Sequence, residues 1–187
     1  TWGDRKSPKY VNSPETPIFL KSEILFNLHL ANKEINENRE FLLVEGQLDA
    51  IRCWIEGFKT VVAPQGTAFK DSQALLLKKS NPKGVICLLD GDDAGQKAAF
   101  GYIPTFLKAG IDARFTSLPS GKDPDQILLE RGSNGLQKIL DLGVSSIEFA
   151  VRYKLEGRSN PQASEIRKVS DLIFSAISEV NSLIMRD

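Results

Sequence analysis

Three acidic motifs follow segments of the chain that are typical of buried strands. Glu45 and Asp49 come after the apolar run FLLV, Asp90 and Asp92 after GVICLL, and the triplet DPD at 123–125 after ARFTSLPSGK. In an open parallel α/β sheet, ligands bind beyond the carboxyl ends of the strands, so up to six carboxylates are expected to meet there. Two unit charges about 4 Å apart repel by roughly 4 kcal/mol at an effective dielectric constant near 20. Such a cluster needs a cation, and oxygen ligands favour Mg²⁺ or Mn²⁺. The motifs therefore indicate metal-dependent phosphate chemistry.

Each motif also has a structural interpretation. Asp49 can complement the dipole of a helix that starts beside it, and Asp123 with Pro124 fits a helix cap followed by the first helical residue. Asp90 is different, because a carboxylate that ends the most apolar strand is costly unless it is paired or bound to a metal. The string DGDDAG imitates the start of a calcium loop, but Gly101 stands where the twelfth position needs Glu. An EF-hand is therefore excluded.

Composition excludes several other classes of protein. The single histidine, His29, and the two cysteines, Cys53 and Cys87, cannot build a histidine-cluster zinc site or a zinc ribbon, and they argue against a serine-protease triad. Neither a P-loop nor a dinucleotide-binding glycine motif is present in the sequence. Lys plus Arg total 24 and Asp plus Glu total 24, which argues against nucleic-acid binding through bulk charge. No apolar run reaches membrane-spanning length, so we expect no membrane partner. Cys53 and Cys87 lie in a predicted helix and a predicted strand, so we expect buried reduced thiols and a cytoplasmic location.

Apolar runs and helical periodicity alternate along the middle of the chain. Strands are predicted at 41–45, 59–64, 84–90 and 111–118, with helices at 48–56, 71–79 and 94–108 between them. This order predicts an α/β fold with a mainly parallel four-stranded sheet flanked by helices. A further helix is predicted at 22–36, and the chain after residue 124 is predicted to be helical.

These elements divide the chain into three predicted parts. Residues 1–40 would be the remnant of an N-terminal basic subdomain with a linking helix, residues 41–142 the α/β domain, and residues 143–187 an α-helical C-terminal subdomain. The first residue is Thr1 and the opening stretch begins abruptly, so we expect the chain to be a fragment of a larger protein.

Several segments resemble known families. The three acidic motifs, in this order and spacing, resemble the Toprim domain that bacterial primases share with topoisomerases and some nucleases. PKYVNSPETPIF at 8–19, QGTAF at 65–69, DGDDAGQKAA at 90–99 and LPSGKDPDQIL at 118–128 are similar to bacterial DnaG-type primases. The likeness runs across residues 8–132, and the helical tail fits the C-terminal subdomain of the primase core more loosely. It implies that the α/β domain at 41–142 is a Toprim domain.

The resemblance also implies roles for particular residues. Glu45, Asp90 and Asp92 would be the catalytic carboxylates. Lys9 and Asn12 would face the nucleotide and the template. The metal ligands that the resemblance implies are Glu45, Asp49, Asp90, Asp92, Asp123 and Asp125.

Two residues depart from the pattern of the family. Gln47 replaces the aromatic residue of the first motif, and Asp93 replaces the arginine of the second. The second change alters the local charge by two units beside the implied metal ligands. It bears on nucleotide affinity or on the number of metals and leaves the reaction class unchanged.

The function implied by the resemblance is nucleotidyl transfer that depends on Mg²⁺, for which Mn²⁺ would substitute, with no zinc in this chain. It would make short RNA primers on a single-stranded DNA template for DNA replication. The implied partners are nucleoside triphosphates, the template and the RNA–DNA hybrid, with a replicative helicase bound only through regions outside this chain. The 187 residues alone are expected to make primers weakly or not at all.

Three other functions stay open on the sequence. A Toprim nuclease or topoisomerase module would cleave phosphodiesters, and the segment PKYVNSPET argues against it. A haloacid-dehalogenase-like phosphatase would use Asp90 as its nucleophile, but Ala94 stands where its motif has threonine. A non-catalytic docking module would use the helical tail as its binding surface.

Overall fold

A computed structural model describes residues 13–66, 68–155 and 162–184 of the chain. Lys9 and Asn12 lie outside these residues, so their contacts with nucleotide and template stay predictions.

The central strand of the sheet, β3 (Gly84–Leu89), is buried along its whole length. It pairs in parallel with β1 (Glu40–Leu43) on one side and with β4 (Ala113–Ser117) on the other. β2 (Val61–Val62) continues the parallel sheet beyond β1, and β5 (Val144–Ser145) pairs antiparallel with β4. The resulting order is β2-β1-β3-β4-β5.

Helices cover both faces of the sheet, so its strands carry apolar side chains on both sides. Along β3, Val85 and Cys87 pack into one core, and Ile86 and Leu88 pack into the other. The helices are α1 (Leu28–Ala31), α2 (Gln47–Ile55), α3 (Asp71–Lys78), α4 (Asp93–Ala109), α5 (Pro124–Asp141), α6 (Ser146–Leu155) and α7 (Ala163–Ile184). The first core also takes side chains from α3, α4, α6 and α7, and the second takes them from α2 and α5.

The helix predicted at 22–36 is wrong. The chain forms a single 3₁₀ turn at Lys21–Glu23 and the four-residue α1 instead. Asn27 takes a left-handed backbone conformation with φ of 65°, which stops a helix from running through it. Its side chain donates a hydrogen bond to the Val61 carbonyl, and the backbone of Phe26 forms a bridge with Ala63. Contacts with the edge of the sheet therefore override the helical periodicity.

The four predicted parallel strands are all present, but the short antiparallel strand β5 was not predicted. Helix α4 continues through Pro104 without dividing. Helix α5 contains a break at Gly132, whose φ of 63° and ψ of −174° are not helical, so two helical segments lie on either side of this glycine. The division of the chain at residues 40 and 142 stays a prediction. Within the described residues, no helix combines the length and apolar character needed to cross a bilayer.

Gln73 joins the segment that precedes the sheet to α3. Its side chain is fully buried, and Nε2 donates hydrogen bonds to the carbonyls of Lys21 at 3.0 Å and Ile24 at 2.8 Å. Its Oε1 accepts a hydrogen bond from the Lys70 N–H at 2.9 Å. One buried amide thus satisfies three backbone groups, two of them about fifty residues away in sequence.

We predict that Gln73→Met lowers the free energy of unfolding by about 2–4 kcal/mol, because it leaves buried backbone groups without partners. Urea denaturation monitored by circular dichroism measures the change. Gln137→Met is the matched control, since Gln137 is exposed and its side chain, among the described residues, bonds only to Asp141, and it should change stability by less than about 0.5 kcal/mol. Equal midpoints for the two variants would show that the Gln73 bonds contribute little.

Candidate active site

Glu45 connects the first acidic motif to the second. It follows β1, and its Oε1 accepts a hydrogen bond from the backbone N–H of Asp90 at 2.9 Å. Asp90 follows β3, which is the parallel neighbour of β1. The carboxyl ends of adjacent parallel strands lie at one edge of the sheet, so the fold places Glu45 and Asp90 side by side there.

Asp92 caps the first turn of α4. Its Oδ1 accepts a hydrogen bond from the Gly95 N–H at 2.8 Å. Gly95 is buried, and a Cβ atom there would lie 2.5 Å from the Asp90 carbonyl oxygen and 2.7 Å from Glu45 Oε1. The close approach of this turn to Glu45 therefore requires glycine at position 95, a residue that sequence reasoning did not single out.

Asp49 and Asp123 stand at the starts of two further helices. Asp49 lies in the first turn of α2, and its Oδ2 accepts a hydrogen bond from the Gly46 N–H at 3.1 Å. Asp123 caps α5, with Oδ1 accepting from the Gln126 N–H at 2.8 Å and Pro124 as the first helical residue. The interpretation of DPD as a helix start is confirmed.

The pKa values of two carboxyl groups show that the motifs form one electrostatic cluster. Burial, followed by the charges of Glu45, Asp49, Asp92 and Asp123, raises the pKa of Asp90 to about 7. Burial, followed by the charge of Asp123, raises the pKa of Asp49 to about 6, although the Gly46 N–H acts in the opposite direction. Glu45 and Asp125 contribute further to the raised pKa of Asp49. Each of the other four carboxylates named from the sequence therefore acts on Asp90, on Asp49 or on both.

Within the described residues, Asp125 is the one carboxylate of the six that forms an ion pair with a cationic side chain. Its Oδ1 lies 3.0 Å from Nε of Arg52 on α2, and Arg52 Nη2 also lies 3.3 Å from Glu56. Sequence reasoning did not include Arg52. The spacing of Arg52 and Glu56 signals a pair within one helix, but nothing local in the sequence signals its contact with Asp125, 73 positions later.

The donor set fits a hard divalent cation by its chemistry. It consists of carboxylate oxygens, and burial together with repulsion among them raises the pKa of Asp90 and of Asp49. Among the described residues, no group of three or more acidic, cysteine or histidine side chains is closed into the geometry of a metal site. Four of the carboxylates instead accept hydrogen bonds from backbone N–H groups. Binding of a cation would require some of these side chains to turn.

We predict that Gly95→Ala destabilises the chain by about 1–3 kcal/mol, because the added methyl group overlaps the Asp90 carbonyl and the Glu45 carboxylate. Gly101→Ala, in the same helix, should stabilise it by about 0.5–1 kcal/mol, since a Cβ atom at position 101 meets no atom within 4 Å. Thermal and urea unfolding of both variants measure the two changes in stability, which should have opposite signs. A neutral Gly95→Ala would contradict the tight packing of the Glu45 side chain.

The raised pKa values predict how stability varies with pH in the presence of a chelator. On folding, the pKa rises from 3.8 to about 7 for Asp90 and from 3.8 to about 6 for Asp49. At a pH between the unfolded and the folded value, each of these groups binds more protons in the native state than in the unfolded state. The contribution of Asp90 and Asp49 to stability is therefore present near pH 4 and is lost as the pH rises through about 6 to 7.

Asp90→Asn should consequently raise the stability of the chain at pH 8 and leave it nearly unchanged at pH 4. Since Asp90 is only half buried, we expect about 1 kcal/mol, or roughly 2–4 °C in Tm. Asp112→Asn, an exposed aspartate just before β4, is the control for the substitution itself. A variant that is less stable than the parent chain at pH 8 would show that the ionised Asp90 is favourable in the native state.

Comparisons with known proteins match both the sheet and the segment before it. The family model described as Toprim-like matches residues 42–128, and that described as the N-terminal domain of the DNA primase catalytic core matches residues 1–32. A DNA primase of Aquifex aeolicus is 46% identical over 147 residues, which is 79% of this chain and 29% of that protein.

Solved structures agree with this assignment. The crystal structure of the zinc-binding and RNA polymerase domains of the Aquifex aeolicus primase matches with a TM-score of 0.76 and 37% identity, covering 97% of this chain and 46% of that one. A DnaG primase catalytic domain bound to single-stranded DNA matches with a TM-score of 0.79 and 31% identity, covering 93% of this chain and 57% of that one. The predicted Toprim-like α/β fold is thus confirmed.

The chain spans 28–30% of the length of three curated DNA primases that it matches. Its Toprim-like sheet, the match at residues 1–32 and the likeness to DnaG catalytic cores agree with one another. The chain therefore belongs to the DnaG-type family of bacterial DNA primases.

Proposed function

We propose that this chain supplies the acidic catalytic edge for synthesis of RNA primers on single-stranded DNA. In this reaction the 3′-hydroxyl of the primer attacks the α-phosphate of a nucleoside triphosphate, a phosphodiester bond forms and pyrophosphate leaves. The observation that carries the proposal is the hydrogen bond from the Asp90 N–H to Glu45 Oε1, which joins two of the acidic motifs at the carboxyl edge of the sheet. The family of the chain supports the same reaction.

Glu45, Asp90 and Asp92 are the proposed catalytic carboxylates. The backbone N–H of Asp90 orients Glu45, and Asp92 is oriented by the Gly95 N–H. The raised pKa of Asp90 fits a carboxyl group that gives up its proton when a cation binds. Asp49, Asp123 and Asp125 would complete the ligand set, with Asp125 first leaving its ion pair with Arg52.

The proposed cation is Mg²⁺, for which Mn²⁺ would substitute. When bound, it supplies Lewis acidity that lowers the pKa of an attacking hydroxyl and offsets charge on the leaving phosphates. These carboxylates place their oxygens at the carboxyl edge of the sheet and provide the negative charge that attracts the cation. An all-oxygen donor set supports a cation of this type over zinc or copper.

The proposed partners are a single-stranded DNA template, nucleoside triphosphates and the RNA–DNA hybrid that the reaction produces. The similar DnaG catalytic domain that was solved with single-stranded DNA supports the first of these. Lys9 and Asn12 are proposed to contact the nucleotide and template. Binding of a replicative helicase is proposed to use parts of primases that this chain does not match. Polymerisation is favoured over cleavage by the match to the primase N-terminal domain at residues 1–32.

The proposal is tested in a chimera in which this chain replaces the matching segment of the Aquifex aeolicus primase. Asp90→Asn and Asp92→Asn should each reduce primer synthesis by at least about a hundredfold, because loss of cation-dependent stabilisation costs several kcal/mol in the transition state. Incorporation of a labelled ribonucleotide on a single-stranded template, measured with Mg²⁺, with Mn²⁺ and with a chelator, provides the readout.

Asp112→Asn is the matched control, because it makes the same change in an exposed aspartate at the other end of β4. It should leave incorporation unchanged. Near-normal incorporation by Asp90→Asn, or full activity in the chelator, would overturn the proposal. Nicking of plasmid without incorporation would point to the nuclease alternative.

We expect the 187 residues alone to incorporate weakly or not at all, since they match less than a third of the curated primases.

A further inference from the structure

A cleft of about 460 Å³ lies between α4, the end of β4, α5 and α6. Its inner wall is apolar and aromatic, with Phe149 stacked between Phe115 and Tyr153. Leu142 forms part of its outer wall and is 76% exposed. The volume is in the range of small-ligand sites, and apolar walls with few polar groups are typical of them. None of the six proposed metal ligands lines this cleft.

Two arginines line the same cleft from different helices. Arg131 lies at the break of α5, just before Gly132, and forms no ion pair with another residue of the described parts of the chain. Arg152 on α6 pairs with Glu148 at 2.6 Å, but both side chains are about half exposed or more. An exposed pair of this kind contributes little energy, so Arg152 can exchange Glu148 for another anion at small cost. We call this site, with its walls, the arginine cleft.

The arginine cleft adjoins the acidic edge directly. One of its walls is the segment Ser117–Pro119, and a Cβ atom on Gly91 would lie 2.3 Å from the Leu118 carbonyl oxygen and 2.4 Å from that of Pro119. Gly91 separates Asp90 from Asp92. Another wall residue, Gln96, lies one turn after Asp92 in α4 and bonds to Ser117. A helical turn is about 5.4 Å, so Gln96 places the start of the cleft about one helical turn from the catalytic motif.

We infer that the arginine cleft holds a nucleotide of the polynucleotide strand that passes the acidic edge. Arg131 and Arg152 contact its phosphates, and Leu142 with the aromatic wall contacts its sugar and base. Cationic side chains next to aromatic and apolar surface are the combination that binds single strands without sequence preference. That the ligand is a polynucleotide strand rests on the proposed function. The site itself is formed by residues other than the six carboxylates.

Binding of a fluorescein-labelled single-stranded DNA of about 16 nucleotides to the 187-residue chain tests the inference. Fluorescence anisotropy is measured without divalent cations between about 50 and 200 mM salt. Removal of one arginine that binds a phosphate should reduce the slope of log K against log salt by about 0.7. Arg131→Ala and Arg152→Ala should each show this reduction, and the double variant should lose about 1.4 in slope and on the order of tenfold in affinity at the lowest salt.

Arg167→Ala is the matched control. Arg167 on α7 forms an exposed ion pair with Asp171, four residues later in the same helix. It does not line the cleft. It should keep the slope of the parent chain. The double substitution Arg131→Lys with Arg152→Lys should restore most of the slope, because it keeps both charges.

Three outcomes would overturn the inference: no measurable binding by the parent chain, a parent-like slope in the double alanine variant, or an equal reduction in Arg167→Ala. The primase chimera separates this inference from the proposed function. If the chimera makes no primers while the slope still depends on Arg131 and Arg152, the proposed function fails and the arginine cleft stands. If primers are made and the slope does not depend on the arginines, the arginine cleft alone is rejected.

Discussion

Burial of Asp90 and Asp49, together with repulsion among these two carboxylates and Glu45, opposes the fold that brings them together. The chain offsets part of this cost through its own backbone. Helices α2, α4 and α5 all begin at the acidic edge, so unpaired N–H groups and the positive ends of three helix dipoles face the carboxylates. Capping a helix and holding the proposed cation would therefore be successive uses of the same carboxylates, and a bound cation would replace N–H groups that already favour the ionised form.

The sheet determines which carboxylates can meet. The carboxyl ends of β1 and β3 carry the first two motifs, and the loop after β4 carries the third, so their neighbouring positions in the sheet bring together residues up to 80 positions apart. Burial of β3 on both faces fixes its register, because a shift by one residue would exchange Val85 and Cys87 with Ile86 and Leu88 between the two cores. The positions of the carboxylates at the carboxyl edge thus depend on apolar packing of β3 in the two cores.

Local patterns were sufficient to predict the strands that carry the acidic motifs. FLLV and GVICLL are continuous apolar runs, and DPD has the composition of a helix start, so the central sheet and the cap at Asp123 followed from the sequence. The prediction failed where a distant contact decides the structure. Asn27 leaves the helical region because its side chain bonds to Val61, and β5 has only two residues whose pairing depends on β4. The Arg52–Asp125 ion pair joins α2 to α5 and has no local signature.

The net charge of zero results from acidic and basic groups at separate positions, and this separation matters for the proposed polyanionic substrate. Equal numbers of acidic and basic residues argue against binding through bulk charge, yet the structure concentrates carboxylates at one edge and sets Arg131 and Arg152 in the adjoining cleft. A phosphate strand is repelled by uncompensated carboxylates, and arginines placed among them would neutralise the groups needed to attract a cation. Separate positions resolve this conflict. Carboxylates can then attract the proposed cation while arginines a short distance away contact the proposed strand, so the two affinities would vary independently.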